Sequence, residues 1–323
     1  DRELTFFEFS TAMALYAFNQ RKVEWAVIET GMGGRLDATN AVCPQLTIIT
    51  NISLEHRAYL GKTLADIAYE KAGIIKSNIP LVTGVSQRNA RNTILDIADR
   101  NHAPTLLRGR DFRSRRVNPK QFSYYGVNQT WRNIDLALCG NHQVDNAALV
   151  LAACETLEKA GNADLSEETI RQGLLDTYWP GRLEVVSTRP YLILDGAHNL
   201  MAARRLAQFL KDQFKGQNTT LVVGVLDDKP CESILKDLIA PCRKVVVTQP
   251  IIDRAIPAYD LAQIALKYNS AVEMIPNVGK AVEHALSKSE AEDVVCVAGS
   301  LYVVGEAKTA LRRMGITEAN ASH

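Results

Sequence analysis

Four groups of polar side chains stand where the sequence pattern places the ends of strands or the starts of helices. The first is Glu29, which follows the mostly β-branched run 23–28, predicted as a buried strand, and precedes three glycines in four positions. A carboxylate at the end of a buried strand is costly unless it is paired, hydrogen-bonded or bound to a cation. In open α/β sheets, ligands bind at that end of the strands. The pattern leaves two interpretations open: a solvated acid beside a glycine turn, or a group that faces a ligand.

The second group centres on His56, which follows the predicted strand 46–52. A single histidine is usually structural, but beside Glu29 at the end of a neighbouring strand it becomes a candidate metal ligand. An acid and an imidazole leave coordination positions that Mg²⁺ fills with water and phosphate. The run Gly61-Lys62-Thr63 looks like the end of a phosphate-binding loop, yet that loop needs glycine where His56 stands. We therefore expect this run to open a helix and not to cradle a triphosphate.

The third group surrounds Lys71, inside the predicted helix 63–75. A lysine among apolar neighbours usually extends its ammonium group to water. A functional lysine here would have to be desolvated and partly neutral, which burial achieves. The pattern by itself favours the solvated lysine.

The fourth group is the run Asp195-Gly196-Ala197-His198-Asn199, between the predicted strand 191–194 and the predicted helix 201–214. An acid, an imidazole and an amide at such a junction are typical of a ligand site in an α/β sheet. Asn199 is also a suitable helix N-cap, and the two roles are compatible. The run Gly299–Tyr302 follows the last predicted strand and is expected to line the same crevice.

Length and composition set the broad class of the protein. The 323 residues are enough for two domains with separate cores, and 46% hydrophobic with 23% charged residues is ordinary for a globular chain. The net charge of +1 gives no basis for binding nucleic acid or an anionic membrane, and no apolar run reaches spanning length. Six cysteines without a Cys-x-x-Cys pair indicate reduced thiols in a cytosolic protein, not a disulfide framework or a zinc site.

The periodicity predicts an α/β protein of two domains. Proline and glycine at 179–182 mark a linker, so we predict a first domain at 1–178 and a second at 183–323. The segment 108–138 is predicted as an antiparallel appendage, and the tail 317–323 as frayed. After the linker, strands alternate with helices, which predicts a mostly parallel sheet with helices on both faces. The predicted helices are 6–19, 63–75, 89–101, 141–160, 167–175, 201–214, 231–238, 259–268 and 278–287, and the predicted strands are 23–28, 46–52, 80–85, 191–194, 220–225, 244–248, 271–275 and 293–297.

The order of motifs along the chain resembles one family. The run from Glu29 to Asn40, Glu-Thr-Gly-Met-Gly-Gly-Arg-Leu-Asp-Ala-Thr-Asn, is similar to a signature of the folylpolyglutamate synthase and dihydrofolate synthase family, a branch of the Mur ligases. The resemblance implies a Mur-ligase-like α/β fold, in which the remainder of a P-loop-type ATPase domain precedes a Rossmann-like C-terminal domain. The other similar blocks, each weak alone but together specific, are Leu4–Glu8, His56–Thr63, Glu70–Ile74, His142–Asn146, Pro180–Arg182, Asp195–Asn199, Leu226–Lys229 and Gly299–Tyr302.

The resemblance also implies an activity. Members of the family use ATP and Mg²⁺ to phosphorylate a folate carboxylate, and the amine of L-glutamate then attacks the acyl phosphate to give an amide, ADP and phosphate. A carboxylate becomes a good electrophile only when one oxygen belongs to a phosphate leaving group, and a two-domain cleft would hold the amine close to the acyl carbon. The implied partners are ATP, L-glutamate and a folate or dihydropteroate, with a monovalent cation beside Mg²⁺. The family further suggests a cytoplasmic monomer that binds neither nucleic acid nor membrane.

Site residues follow from the resemblance by position. Glu29 and His56 are similar to the Mg²⁺ ligands of the family, and Lys71 to its carbamylated catalytic lysine. Asp195 and His198 complete the implied catalytic set. The implied ATP contacts are Asn146, Arg182 and Asp195, and the implied glutamate contacts are Asp195, His198, Ser300 and Tyr302. The implied folate-binding wall comprises Thr5, Phe6, Phe7, Glu8, Leu36, Asp37 and Ala38.

Two departures from the family pattern bear on this assignment. Glu55 precedes the metal-binding histidine where the family usually has aspartate, and no Gly-x-x-Gly-Lys-Ser/Thr phosphate loop occurs. In the family that loop lies upstream of the position of Asp1, so we expect an N-terminally incomplete chain and not a working enzyme without the loop. Two alternatives remain: a Mur-type peptide ligase of cell-wall synthesis, and a non-catalytic binding protein that lost the loop. The runs Asp195–Asn199 and Gly299–Tyr302 favour the folate branch, without choosing between dihydropteroate and folate polyglutamates as the substrate.

Overall fold

The computed structural model describes residues 3–161, 165–227 and 230–316, so the tail predicted to be frayed and the end of the Leu226–Lys229 block lie outside it. The chain divides into two compact units. Unit 1 comprises the residues up to Asp135 together with Val144–Leu175, and unit 2 comprises Leu136–Gln143 together with the residues from Asp176 onwards. Residues 136–143, which the periodicity assigned to the first domain, thus group with unit 2. The domain boundaries drawn from the sequence stay a prediction.

Unit 1 begins with a long helix and continues with short strands and helices. In chain order these are α1 (Phe6–Arg21), β1 (Thr47–Ile49), α2 (Arg57–Leu60), α3 (Leu64–Ala72), β2 (Leu81–Thr83), α4 (Arg88–Arg100), β3 (Thr105–Leu107), β4 (Arg113–Asn118), β5 (Gln121–Tyr125), β6 (Thr130–Asp135), α5 (Asn141–Lys159), whose first three residues belong to unit 2, and α6 (Glu167–Leu175). Strands β1, β2 and β3 form a parallel sheet in that order. Strands β4, β5 and β6 form a separate antiparallel sheet, as predicted for the appendage.

The core of unit 1 lies between the parallel sheet and the helices α3 and α4. Leu81 from the sheet, Ile67 from α3 and Ile94 from α4 are all fully buried in it. Helix α3 begins at a capping box, in which the hydroxyl of Thr63 accepts from the amide of Asp66 at 3.1 Å and the Asp66 carboxylate accepts from the amide of Thr63 at 3.0 Å. The prediction that Gly61-Lys62-Thr63 opens a helix is therefore confirmed.

The segment 23–28 is not a strand, and this prediction is wrong. Val27 is 99% exposed and Trp25 is 52% exposed, and no described strand pairs with the segment. A β-branched run adopts strand geometry when a neighbouring strand supplies hydrogen bonds and packing, and the described residues supply neither. Helix α1 forms as predicted, but none of its residues is buried, so its apolar face is exposed as well.

Unit 2 is built on a six-stranded sheet with the order β11-β10-β9-β12-β8-β7. The strands and helices are β7 (Glu184–Thr188), β8 (Tyr191–Leu194), α7 (Leu200–Gln213), β9 (Thr219–Val223), α8 (Cys231–Ile239), β10 (Lys244–Val247), α9 (Ala258–Ala265), β11 (Val272–Met274), α10 (Val278–Ser287), β12 (Val294–Ala298) and α11 (Leu301–Arg313). Every neighbouring pair is parallel except β7 and β8. The edge strand β7 and the last helix α11 were not predicted.

Helices cover both faces of this sheet, as predicted. Ile193 of β8 packs in one buried cluster with residues of α7, α8 and α9. Leu194, the next residue, points to the opposite face and packs in a second cluster with residues of α10 and α11. This alternation is what a pleated strand buried on both faces requires, and it explains why nearly every position of β8 and β12 is apolar.

Two expectations from composition can be compared with the structure. All six cysteines are free, which agrees with reduced thiols. Within the described residues, no helix combines the length and the apolar character that crossing a membrane requires.

Candidate active site

The glycine-rich residues 31–40, here called the glycine strap, pack against the C-terminal end of α3. A Cβ at Gly34 would lie 2.8 Å from the carbonyl oxygen of Lys71 and 2.9 Å from that of Glu70. A Cβ at Gly73 would lie 2.3 Å from the Cβ of Arg35. Only glycine lets the two backbones approach this closely. These glycines therefore serve to seat the strap directly beside Lys71.

Polar contacts hold the strap in place. The amide of Arg35 donates to the carbonyl of Glu70 at 2.8 Å, and its guanidinium donates to the Glu70 carboxylate at 2.9 Å. The side-chain amide of Asn40 donates to the carbonyls of Arg35 and Gly73, both at 3.1 Å. Lys76 closes the arrangement by donating to the carbonyl of Asn40 at 3.0 Å. Two motifs that are separate in sequence thus form one structure around the end of α3.

The carboxylate of Asp37 is engaged inside the strap. It accepts from the amide of Met32 at 2.8 Å, and from the amide and hydroxyl of Thr39 at 3.0 Å and 2.6 Å. Partial burial pulls the pKa of Asp37 upwards, but the hydrogen bonds from Thr39 and Met32 outweigh it and lower that pKa. Asp37 therefore shapes the strap as the cap of a short 3₁₀ helix, Ala38–Ala41.

The two segments predicted to form the folate wall meet in unit 1. Helix α1 contacts the 3₁₀ helix Ala38–Ala41. The ring of Phe7 covers the start of the strap, where a Cβ at Gly31 would lie 2.3 Å from the Phe7 Cζ atom. Thr5 and Glu8 form a capping box at the start of α1, with hydrogen bonds of 2.8 and 3.2 Å. Thr5 and Glu8, which the sequence suggested only as members of the folate wall, therefore also stabilise the start of α1.

Other members of the predicted wall are open to solvent. Phe6 is 86% exposed and Leu36 is 80% exposed, while Ala38 is half-buried. A single exposed apolar side chain is common, but a group of them often indicates a binding surface. Here Phe6 and Leu36 belong to the two segments, α1 and the strap, that contact each other. Their role in binding a folate stays a prediction.

The side chains predicted for metal binding and carbamylation make no hydrogen bond or ion pair within the described residues. Glu29 and His56 are exposed, and Lys71 is half-buried in the last turn of α3. His56 has φ 51° and ψ 35°, at the N-cap of α2. A non-glycine residue in this left-handed region is uncommon, and such residues concentrate at functional sites.

By chemical type, the side chains of Glu29 and His56 stay candidate ligands of a divalent metal ion. A carboxylate oxygen suits Mg²⁺, and an imidazole nitrogen adds a second protein ligand. Among the described residues, no group of three or more His, Cys, Asp or Glu side chains is arranged to hold a metal alone. Water and phosphate oxygens would therefore supply most of the coordination.

In unit 2, Asp195 is buried at the carboxyl end of β8, and both of its oxygens accept from the backbone. Oδ2 accepts from the amide of Leu183 at 2.8 Å and Oδ1 from the amide of Ala197 at 2.9 Å. Burial raises the pKa of Asp195, against the opposing effects of these hydrogen bonds and of the charges on Arg182 and His198. Asp195 thus ties the entry of β7 to the loop after β8.

The same loop fixes the tautomer of His198. Its Nδ1 atom lies 2.8 Å from the carbonyl oxygen of Gly196. A carbonyl can only accept, so Nδ1 carries the proton, and in the neutral ring Nε2 keeps a lone pair for a ligand. Asn199 caps α7 by accepting from the amide of Ala202 at 2.8 Å, which confirms the capping interpretation.

The junctions after β8 and β12 lie side by side, because these strands are parallel neighbours. A Cβ at Gly196 would lie 2.4 Å from a methyl group of Leu301. Ser300 is buried and caps α11, accepting from the amide of Val303 at 3.2 Å, while Tyr302 is 48% exposed. Asp195, His198 and Ser300 therefore share one edge of the sheet, with Tyr302 beside them.

Arg182 is half-buried in the turn before β7 and makes no side-chain hydrogen bond within the described part of the chain. Its charge acts on Asp195 and on His142. Burial, together with the charges of Arg205 and Arg182, lowers the pKa of His142 from 6.5 to about 4. This cationic corner of unit 2 is suited to an anionic ligand such as a phosphate.

The predicted site residues divide between the two units. Unit 1 contains the metal, carbamate and folate candidates and also Asn146, which lies half-buried in α5. Unit 2 contains Arg182 and the groups after β8 and β12. The sequence missed the buried Glu184 near Arg182, which binds Lys308 and Tyr178. The only signal for it was a glutamate inside an otherwise apolar run.

Comparison with known proteins defines the class. Residues 4–154 match the Mur ligase middle domain, and residues 181–301 match the Mur ligase glutamate ligase domain. These matches cover most of the chain. The chain is a member of the Mur ligase family.

Individual relatives place it within that family. A dihydrofolate synthase/folylpolyglutamate synthase of Bacillus subtilis is 38% identical over 95% of this chain and 72% of its own length. A probable bifunctional folylpolyglutamate synthase/dihydropteroate synthase of Haloferax volcanii is 36% identical over 96% of this chain, which spans only 37% of that longer protein. The chain belongs to the folylpolyglutamate synthase/dihydrofolate synthase branch of the Mur ligases. The enzymes of this branch are ATP-dependent glutamate ligases.

Solved structures agree. Escherichia coli FolC in complex with DHPP and ADP is 31% identical and superposes with a TM-score of 0.87, covering 97% of this chain and 72% of that one. A bifunctional folylpolyglutamate synthase/dihydrofolate synthase of Yersinia pestis, complexed with AMPPNP and a manganese ion, is 32% identical with a TM-score of 0.83, covering 97% and 72%. Nucleotide, folate-type compound and divalent metal are thus the ligands of similar proteins.

Proposed function

We propose that this protein joins L-glutamate to the carboxylate of a folate or dihydropteroate, driven by ATP, through an acyl phosphate. The observation that carries this proposal is the pair of adjoining junctions after β8 and β12. They bring Asp195, His198 and Ser300 to one edge of the sheet, within the segment that matches a glutamate ligase domain. Such an edge is where α/β sheets bind their ligands.

In unit 1, Glu29 and His56 would hold Mg²⁺, which neutralises charge on the phosphoryl group as it transfers. The capping box at Thr5 and Glu8 fixes the start of α1, where the ring of Phe7 lies against the glycine strap and the ring of Phe6 is exposed. These aromatic rings give the folate a flat apolar surface for stacking. Asp37 contributes by keeping the strap folded.

Lys71 is proposed to react with carbon dioxide to give a carbamate. The neutral amine adds to the carbon of CO₂, a C–N bond forms, and one proton is released to solvent. The product is an anion that can help to hold a metal ion. Support comes from the half-buried position of Lys71 in the last turn of α3 and from the lack of an ion-pair partner for its side chain within the described residues.

Arg182 of unit 2 and Asn146 of unit 1 are proposed ATP contacts, and Tyr302 of unit 2 is a proposed contact of the incoming glutamate. The ammonium of glutamate must lose a proton before its nitrogen attacks the acyl carbon. His198 is proposed to accept this proton at Nε2, the atom that its tautomer leaves unprotonated. The new C–N bond forms as the C–O bond to phosphate breaks, and Asp195 keeps Arg182 and His198 in place.

Mg²⁺ as the particular metal, a monovalent cation, a monomeric state and a cytoplasmic location complete the proposal. They rest on the family resemblance.

The test is phosphate release that depends on both ATP and L-glutamate. The full gene product is assayed with dihydropteroate, with tetrahydrofolate and with a muramyl peptide. We expect turnover with one or both pteridine substrates and none with the peptide. No turnover with any folate would refute the proposal, and turnover with the muramyl peptide would favour a cell-wall ligase instead.

A further inference from the structure

The turn that carries Arg182 is held at both flanks by buried carboxylates. On one side, the amide of Gly181 donates to Oε2 of Glu184 at 2.7 Å. On the other, the amide of Leu183 donates to Oδ2 of Asp195 at 2.8 Å. Arg182 therefore projects from between two backbone positions that are each fixed by a carboxylate.

Glu184 is in turn held by the last helix of the chain. Its side chain is only 2% exposed, and the ammonium of Lys308 on α11 donates to Oε1 at 2.7 Å. The hydroxyl of Tyr178 donates to the same oxygen at 2.7 Å. Removal of Lys308 alone would leave a buried carboxylate without its cation, which is costly and would draw the Glu184 side chain away from the amide of Gly181. Lys308 thus keeps Glu184 where it holds the turn.

The backbone of the turn needs this support. Gly181 has φ 69° and Leu183 has φ 48°. Glycine adopts the left-handed region readily, but leucine does so only when its surroundings impose it. An ion pair that served stability alone would need only one carboxylate oxygen, whereas here the second oxygen is bonded to the turn.

We propose that Glu184, held in place by Lys308, is a positioning residue for nucleotide binding, because its side-chain oxygen fixes the turn that aims Arg182 at the phosphates of ATP. This inference rests on the proposed contact between Arg182 and ATP. Arginine is long and flexible, so fixing its backbone reduces the conformational freedom that binding must remove.

Two double variants separate positioning from stability. Glu184→Gln with Lys308→Met removes both charges and keeps an amide oxygen that accepts from the amide of Gly181. Glu184→Leu with Lys308→Met removes both charges and the acceptor. Neutral replacement of a buried ion pair is often tolerated, while removal of one partner alone is not. Lys267→Met, which breaks an exposed Lys267–Glu232 pair at 3.0 Å, is the matched control.

The measurements are the dissociation constant of MgADP by calorimetry and the melting temperature, both on the full gene product. We expect the glutamine double variant and the control to bind within about twofold of the wild type. The leucine double variant should bind about tenfold more weakly, the scale of one well-placed charged hydrogen bond. This loss of affinity should vanish when Arg182→Ala is already present, because the effects of substitutions at residues that act through one another are not additive.

The outcomes are distinguishable. Equal affinities of the glutamine and leucine double variants would overturn the inference, whatever their melting temperatures. A leucine penalty that persists undiminished in the Arg182→Ala background would overturn it too. An Arg182→Ala variant with wild-type affinity would instead remove the ATP contact itself, and with it the premise.

Discussion

Replacing His142 is expected to remove a specific loss of stability at acidic pH. His142 is half-buried in unit 2, and its burial and the charges of Arg205 and Arg182 lower its pKa from 6.5 to about 4. Between these two values the unfolded chain binds a proton that the folded protein does not. The free energy of unfolding therefore falls as the pH falls from 6.5 towards 4. Above pH 6.5 the imidazole is neutral in both states, and this loss of stability is absent.

The size of the effect follows from the proton linkage. Each pH unit within the window changes the free energy of unfolding by about 1.4 kcal/mol for one proton. Between about pH 7.5 and about pH 5, roughly 1.5 units lie inside the window, which gives about 2 kcal/mol as an upper limit. Because the imidazole keeps some contact with solvent, screening reduces this to about 1–2 kcal/mol.

The assay compares the wild type with His142→Gln, which cannot titrate. Amide hydrogen exchange in β8 and β12 reports the opening of unit 2 at both pH values, after correction for the intrinsic rate. On acidification, the free energy of unfolding of the variant should fall by about 1–2 kcal/mol less than that of the wild type. An NMR titration of His142 should show a midpoint near the lowered value, and Arg205→Gln should raise it. A midpoint near 6.5, or equal acid sensitivity in both proteins, would refute the reasoning.

Three further predictions concern unit 1. Lys71→Ala should abolish ligase activity and Lys71→Arg should fail to restore it, because a guanidinium forms no carbamate; full activity of either variant in the phosphate-release assay would discard the carbamate. Gly34→Ala should lower the free energy of unfolding by about 1–3 kcal/mol in urea titrations, because its Cβ would lie 2.8 Å from a carbonyl of α3, and an unchanged midpoint would contradict the close approach. Glu155→Gln should also lower the free energy of unfolding by about 1–3 kcal/mol. Glu155 accepts from the hydroxyl of Tyr124 and from three backbone amides, and the side-chain NH₂ of glutamine would face one or more of these donors. The neighbouring Glu158→Gln is the control and should leave the urea midpoint unchanged.

The parts of the fold that the sequence predicts best are those whose pattern is set by burial on a regular element. Strand β8 and helices α6 and α10 have the predicted bounds. A strand covered on both faces is a continuous apolar run, and a helix covered on one face repeats every three to four residues, so both signals are local. Strand β7 escaped prediction because its first residue, Glu184, is a buried acid, and the pattern of burial is broken there.

The segment 23–28 shows the limit of this approach. Its residues have the composition of a buried strand, yet Val27 is almost fully exposed. Strand preference reflects packing against neighbours more than an intrinsic property of the backbone. A pattern that describes one segment does not contain the partner that would make it a strand.

For the candidate site, the sequence by itself determined which chemical groups are present and the order of the motifs, and that order was enough to indicate the family. Only the tertiary structure decided what each group does in place. It assigned both oxygens of Asp195 to backbone amides, fixed the proton of His198 on Nδ1, and joined Glu184 to Lys308 from the far end of the chain. These are contacts between residues that folding brings together, and hydrogen bonds depend on distance and direction, which spacing along the chain does not specify.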